Sequence, residues 1–420
     1  MPEALHHHDT PLSKTPGSPS HTRRASLKIL SRNIDKVVLG DLLFDTWYFS
    51  PYPDSVIHDR DVLASRGIAN GEQRNGHPDK VVVPIVPRLH VCPYCFRYTT
   101  VATDYIDHLR IHLDEAKTDQ EDWTPVPSAA LKVYEWEGYT VWDIDGEHEK
   151  LYCQNLSLFA KLFLEQKSVF FDTSGFHYFV LTYTPPEFVS SPKRGRRRRS
   201  STTSSEFGFR TQVLGFFSKE NLSWDANNLA CILVFPPFQH RNLGQLLMAV
   251  SYKLSGWEWE DSVIGGPEKP LSVLGRRSYL RFWSERIARF FMGQTADADG
   301  IKVFAKRTSK NPREEMTPRE IGDRTGMLAE DVVAALTEMG LGMMAPRKRQ
   351  KIDEVQGSDS SDEIVHSVML IKRSQVLAWA DRNNISLIGP AKEEGFLGEW
   401  ALSDSGASAA ASTVPETTDM

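Results

Sequence analysis

Residues 227–283 read NNLACILVFPPFQHRNLGQLLMAVSYKLSGWEWEDSVIGGPEKPLSVLGRRSYLRFW. The apolar run 229–235, bounded by asparagines and by Pro236 and Pro237, predicts a buried strand. A polar turn follows, Gln239-His240-Arg241-Asn242-Leu243-Gly244-Gln245, and the amphipathic run 246–254 predicts a helix. Strand, tight turn and helix start together make an anion site. The first helical turn carries unpaired N–H groups and the positive end of the helix dipole, so a diphosphate fits with little help from side chains. Further on, Glu268 follows Gly265-Gly266-Pro267, which places it on a loop.

Ala230-Cys231-Ile232-Leu233 with Pro236, the turn at Gln239, Ser251-Tyr252 with Leu254-Ser255, Pro267-Glu268-Lys269-Pro270-Leu271-Ser272 and Gly275 resemble the MYST family of histone acetyltransferases, over a region from Val37 to Gly340. The likeness is strongest to the small fungal silencing-type (SAS) branch, which has no chromodomain or PHD finger before its catalytic region. The resemblance implies acetyl transfer from acetyl-CoA to a histone-tail lysine, with histone H4 as the substrate. It also implies a nuclear chromatin regulator of transcription that works with partner subunits.

The resemblance assigns roles residue by residue. Glu268 matches the family's general base, the carboxylate that takes a proton from the lysine ammonium before it attacks the thioester. Cys231 matches the active-site cysteine, which either accepts the acetyl group or shapes the pocket. Backbone N–H groups near Cys231 and Ile232 would hold the oxyanion. Acetyl-CoA would lie along Ile232, Leu233 and Val234 and around Gln239, His240, Arg241, Asn242, Leu243, Gly244 and Gln245, with Ser272 and Arg281 as further contacts. The family's turn is Gln-x-x-Gly-x-Gly or Ala, and here Asn242 stands at the first glycine. Asparagine tolerates left-handed backbone, but it brings a side chain towards the diphosphate. Lys161 matches the lysine that family members autoacetylate. Taken singly, a buried cysteine is a small core residue, and a loop glutamate or helix lysine is a solvated one.

Upstream stands Cys92-x2-Cys95-x12-His108-x3-His112. Two thiolates on a knuckle and two imidazoles one helical turn apart can close a tetrahedral Zn²⁺ site. The family more often has cysteine at the fourth place, where this chain has His112. The same spacing belongs to DNA-reading fingers, whose base-reading positions here would be near Val101, Asp104 and Asp107. Two carboxylates facing phosphates are unfavourable, so the finger is expected to be structural, with no sequence-specific DNA binding.

The chain has 420 residues, a net charge of −6 and four cysteines. That length allows two or three domains. Four cysteines in so long a chain make no disulfide framework, and a reducing compartment fits better. No apolar run is long enough to span a membrane, and no secretory h-region is expected. The basic runs 193–199 and 347–351 read as nuclear import signals.

The expected fold is α+β: a GCN5-like acetyltransferase core with an N-terminal C2H2-type zinc finger and a C-terminal winged helix-turn-helix unit. Residues 1–33 and 403–420 are expected to be disordered tails. Residues 34–114 hold a leading hairpin at Gly40-Asp41 and the finger. Residues 131–295 hold the acetyl-CoA-binding core, with a disordered insertion at 187–207. Residues 300–402 hold the helix-turn-helix unit, with a second insertion at 345–363. Within the core, strands are expected at 132–137, 139–144 and 211–218, and a strand pair at 168–171 and 176–184. Helices are expected at 155–167, bearing Lys161, and at 275–291. Thr317 caps a helix with Pro318 in its first position, Gly326 turns, and a second helix at 329–339 ends at Gly340. Two rival readings stand beside the enzyme: a catalytically weakened family member acting as an assembly component, which Asn242 keeps open, and a zinc-finger DNA-binding regulator.

Overall fold

The computed structural model describes residues 32–53, 56, 86–118, 124–185, 211–223, 227–258, 264–292, 313–341, 343–346, 367–385 and 388–401. The expected tails up to residue 31 and from 403, the insertion 187–207, residues 347–363 and both basic runs lie outside those residues.

Gly40, at φ +63°, turns β1 (Ile34–Leu39) into β2 (Leu42–Asp45), the hairpin that Gly-Asp predicts. β3 (Val86–Val91) runs parallel to β1, and β4 (Tyr98–Thr99) pairs with β3. Helix α1 (Ala102–Thr118) follows and completes a ββα finger.

The central sheet has β5 (Leu131–Trp136), β6 (Tyr139–Asp145), β7 (Phe176–Tyr183), β8 (Gln212–Glu220) and β10 (Cys231–Val234) in the order β10-β8-β7-β6-β5, antiparallel throughout. β7 and β8 are buried on both faces, as their continuous apolar runs require. At Gly215 in β8 a Cβ would sit 2.4 Å from the Leu233 carbonyl oxygen, so only glycine lets β10 approach this closely.

Six expectations need correction. Asn33, read as part of the disordered tail 1–33, is buried, and its Nδ2 donates to the Ser50 carbonyl at 2.8 Å. Ala345 and Pro346, read as the start of the disordered insertion 345–363, lie in the strand Met343–Pro346 and pair with Val368 and Ser367. The run 229–235 is two strands, not one. The Ala230 N–H donates to the Ser218 carbonyl at 2.7 Å, while Cys231 pairs with the same Ser218. Two residues opposite one is a bulge, and it frees β9 (Asn227–Leu229) to pair in parallel with β11 (Gly266–Pro267) instead. Residues 168–171 form no strand; β7 pairs with β6 and β8. The helix expected at 155–167 is α2 (Lys150–Lys161). Its end tightens into i→i−3 bonds from Leu162 to Phe159 and from Phe163 to Ala160, and the Leu162 carbonyl accepts from Trp47 and Tyr48. The apolar pattern runs past the helix because these last residues pack as a turn. Finally, α3 (Leu243–Glu258) starts at Leu243, not at residue 246.

Helix α4 (Val273–Phe291) starts after an N-cap at Ser272, whose Oγ accepts from the Gly275 N–H. Beyond it come β12 (Arg313–Met316), α5 (Pro318–Thr325), α6 (Ala329–Met339), β13 (Met343–Pro346), β14 (Ser367–Lys372) and α7 (Arg373–Arg382), with a three-stranded sheet in the order β12-β14-β13. Thr317 and Glu320 close a capping box, and Gly326 and Gly340 end their helices at φ +67° and +64°. α6 packs on α4. The chain then returns to the core, where the Leu397 N–H donates to the Val133 carbonyl at 3.1 Å and covers the outer strand β5.

The finger has a small cluster of its own, Cys92, Tyr105 and Leu109, and joins the main hydrophobic core through Phe96. Phe96 of the knuckle meets Phe159 of α2 and Phe235 after β10, with centroids 5.6 and 5.9 Å away, and all three rings are fully buried. Truncating such a ring to alanine costs about 3–5 kcal/mol.

Candidate metal centre and active site

The donor atoms of Cys92, Cys95, His108 and His112 all lie within 4.8 Å of one another. The Cys95 Sγ is 3.1 Å from His108 Nε2. His112 Nε2 is buried and has no hydrogen-bond partner among the described residues, while its Nδ1 meets Glu115 Oε2 at 3.1 Å. A carboxylate behind a histidine fixes the ring and its tautomer for a metal on the far nitrogen. A hydrogen bond from Cys92 pulls the Cys95 pKa down to about 3, helped by His112 and His108 against the effect of burial. Burial holds the Cys92 thiol up. Two sulfurs and two imidazoles in a closed, partly buried cluster fit Zn²⁺. The knuckle is tied to α2 by the Asn155 Nδ2, which donates to the Cys95 carbonyl at 3.3 Å. Val101, Asp104 and Asp107 are all exposed, so the outward face of α1 presents acid.

Glu268 follows β11. Its N–H donates to the Leu229 carbonyl at 2.9 Å, and Gly266 and Pro267 register with Asn227 and Leu229. Cys231 lies two residues beyond Leu229, at the start of β10, and is half-buried. The bulge at Ala230 therefore splays one continuous chain into a strand that anchors the carboxylate and a strand that carries the thiol. Partial burial raises the Glu268 pKa, Glu220 at the end of β8 raises it further, and Lys167 opposes both.

β10 is the outer strand of its sheet. The Phe235 N–H donates to the Leu214 carbonyl. By the alternation of an antiparallel ladder, the N–H groups of Cys231 and Leu233 face β8, and those of Ile232 and Val234 face the open edge. Of the two expected oxyanion donors, this leaves Ile232 on the open side.

Past the 3₁₀ turn Pro236–Phe238, His240 and Asn242 are both left-handed, at φ +63° and +59°. The Asn242 carbonyl accepts from the N–H groups of Gln245 and Leu246, which leaves the Leu243 and Gly244 amides at the mouth of α3. A Cβ on Gly244 would meet nothing within 4 Å, so the space beside this first turn is open. Leu243, Gly244 and Gln245 are helical, not part of the turn. Two glutamines face inward: Gln239 Nε2 donates to the Val234 carbonyl at 2.9 Å, and the buried Gln245 donates to the Ser278 carbonyl at 3.3 Å. They brace the turn. Arg241 is exposed, with its guanidinium over the Phe238 ring. Ser272 is exposed as the cap of α4, and Arg281 pairs through Nε with Glu285 at 2.8 Å. Lys161 is the last residue of α2; its Nζ donates to the carbonyls of Leu164 and Glu165, and partial burial lowers its pKa.

Lys167, Glu220 and Asp331 were not singled out from sequence. Spacing along the chain carries no signal for them, because all three come from distant segments: Lys167 and Glu220 act on Glu268, and Asp331 pairs with Lys269.

A family model described as MOZ/SAS family matches residues 127–195 and 199–376, and one described as MYST family zinc finger domain matches residues 31–63. The second match ends before the four Cys/His ligands. The chain is 30% identical over 311 residues to histone acetyltransferase SAS2 of Saccharomyces cerevisiae, covering 73% of this chain and 75% of that protein. It is 30% identical over 306 residues to histone acetyltransferase MOF of Drosophila melanogaster, covering 73% of this chain but 27% of MOF. It is 29% identical over 321 residues to the histone acetyltransferase Tip60 homolog of Caenorhabditis elegans, covering 76% of this chain and 53% of the relative. The fold and the site define a mixed α/β domain with a partly buried Cys/His metal centre beside its core. The chain belongs to the MOZ/SAS family, with the MYST zinc finger on its N-terminal side.

Proposed function

We propose that this protein is a histone lysine acetyltransferase that uses acetyl-CoA. One observation carries the reading: a loop carboxylate of raised pKa is pinned by its own backbone to the strand that leads into Cys231, next to an open strand edge and a helix N-terminus. The substrate lysine's ammonium gives a proton to Glu268. The amine nitrogen then attacks the thioester carbonyl carbon, the C–N bond forms, and the oxyanion is met by the outward Ile232 N–H. Collapse breaks the C–S bond. The coenzyme A thiolate leaves and takes one of the two protons left on nitrogen, the other stays as the amide N–H of the product, and Glu268 returns its own to solvent.

The Leu243 and Gly244 amides with Arg241 would receive the diphosphate. Ile232, Leu233 and Val234 would flank the pantetheine arm, and Ser272 and Arg281 stand further along. The zinc site, read as C2H2-type, is structural, and the unit after α4 is read as a winged helix-turn-helix that supports the site. Residues 34–114, 131–295 and 300–402 are the three working regions. Lys161 is proposed as an autoacetylated lysine. The histone H4 tail is the proposed substrate, the nucleus the proposed location, and chromatin-complex subunits the proposed partners. The weakened-subunit reading rests on Asn242. At φ +59° that residue sits where asparagine and glycine are both tolerated, so the transferase reading is preferred.

The test is incubation of the purified chain with acetyl-CoA and H4 or H3 tail peptides, read by mass spectrometry. A lysine gaining one acetyl group on the H4 peptide is expected. Absence of both acetyl-CoA binding and transfer would count against the reading.

A further inference from the structure

We infer that Asp331 is a positioning residue for Glu268, acting through Lys269, so that the α5–α6 unit completes the active site. The inference rests on Glu268 as the base. Lys269, next in the chain, puts its Nζ 2.7 Å from Asp331 Oδ1 and also against Glu330. The Asp331 side chain is only 3% exposed, against 67% for Glu330. Asp331 is therefore a buried charge whose hydrogen-bonded counter-charge is Lys269.

The rest of the loop is held on the same side. The Gly265 N–H donates to the Gly326 carbonyl at 3.3 Å, and Gly265 forms a bridge with Met327. Gly266 fits so closely that a Cβ would lie 2.8 Å from Leu328 Cδ1 and 2.9 Å from Asp331 Oδ2. On the other side, Gly266 and Pro267 register with β9, and Glu268 bonds to Leu229. The base is thus laced between a strand of the core and the turn between two helices of the C-terminal unit. Half of its support comes from a segment more than sixty residues further on. A displacement of about 1 Å in a reacting group costs on the order of a hundredfold in rate, so a loop freed on one side loses activity before it loses its fold.

The experiment uses the full chain with Asp331→Asn, Lys269→Met, the double variant, and Glu330→Gln as the exposed control. Hydrogen exchange of residues 265–269 is followed beside kcat and KM. Asp331→Asn is expected to speed exchange in 265–269 while β8 keeps its wild-type protection. It should lower kcat by about tenfold or more, with KM for acetyl-CoA within about threefold. Lys269→Met should do the same from the side that is 38% exposed, the double variant should be no worse than the worse single, and Glu330→Gln should stay near wild type. Unchanged exchange in 265–269, an unchanged kcat, or losses that simply add would overturn the inference. If the wild type transfers no acetyl group, the transferase reading fails separately, and the exchange arm still decides whether Asp331 holds the loop.

Discussion

The N–H of Glu268 lies 2.9 Å from the carbonyl of Leu229, two residues before Cys231. The proposed base is therefore located by backbone, and only its side-chain torsions remain free. The thiol is placed differently: among the described residues no side chain is hydrogen-bonded to the Cys231 Sγ. A cysteine that takes up an acyl group is held within hydrogen-bond reach of a base. Cys231→Ala is thus expected to retain transfer within about tenfold of wild type, with no trapped acetyl-thioester, because direct attack by lysine does not need the sulfur. Rapid-quench trapping of an acetyl group on Cys231 would contradict this.

As the proposed base, Glu268 must be ionised to act, so the rate is expected to rise with pH as it loses its proton. Burial and the Glu220 charge both raise its pKa, and Lys167 lowers it. Glu220→Gln removes a like charge, so the acid limb of the kcat profile should move to lower pH. Lys167→Met removes an opposite charge, so it should move that limb to higher pH. A pH–rate profile of each variant checks the two opposite signs.

The metal centre is tied into the core through Phe96 and Asn155. Losing zinc should therefore destabilise the whole domain, not only the finger. Cys95→Ser is expected to abolish bound zinc and cost about 3 kcal/mol or more in stability. Glu115→Gln, which removes the carboxylate behind His112, should weaken zinc about tenfold to a hundredfold while the chain stays folded. Metal analysis beside thermal unfolding separates the two.

Asn242 sits at φ +59° beside the open space at Gly244. Asn242→Gly should bind acetyl-CoA within about threefold of wild type, since both residues accept that backbone. A β-branched replacement cannot, and Asn242→Val should cost about 1–3 kcal/mol in binding or stability. Calorimetric titration with acetyl-CoA measures both.

Much of this was legible in the sequence, and the parts that were not share a cause. The four zinc ligands sit at short fixed spacings, and Thr317, Pro318, Gly326 and Gly340 announce their helix ends by local chemistry alone. The split of residues 229–235 left no mark, because an apolar run looks the same whether one strand or two pass through it. The break at Ala230 is imposed by Ser218 on β8. The end of α2 leaves no mark for the same reason: Leu162 and Phe163 are apolar for packing, not for helix. Lys269 with Asp331 lies beyond any local pattern, since it depends on a tertiary contact across sixty residues.

The most direct test of the central claim compares Glu268→Gln with wild type for acetyl transfer to the H4 tail peptide, with acetyl-CoA affinity measured on both. A carboxamide keeps the shape and the backbone bond to Leu229 but takes no proton. The account predicts unchanged acetyl-CoA binding and a fall in kcat of about a hundredfold to ten-thousandfold. A variant that transfers acetyl at the wild-type rate would contradict it.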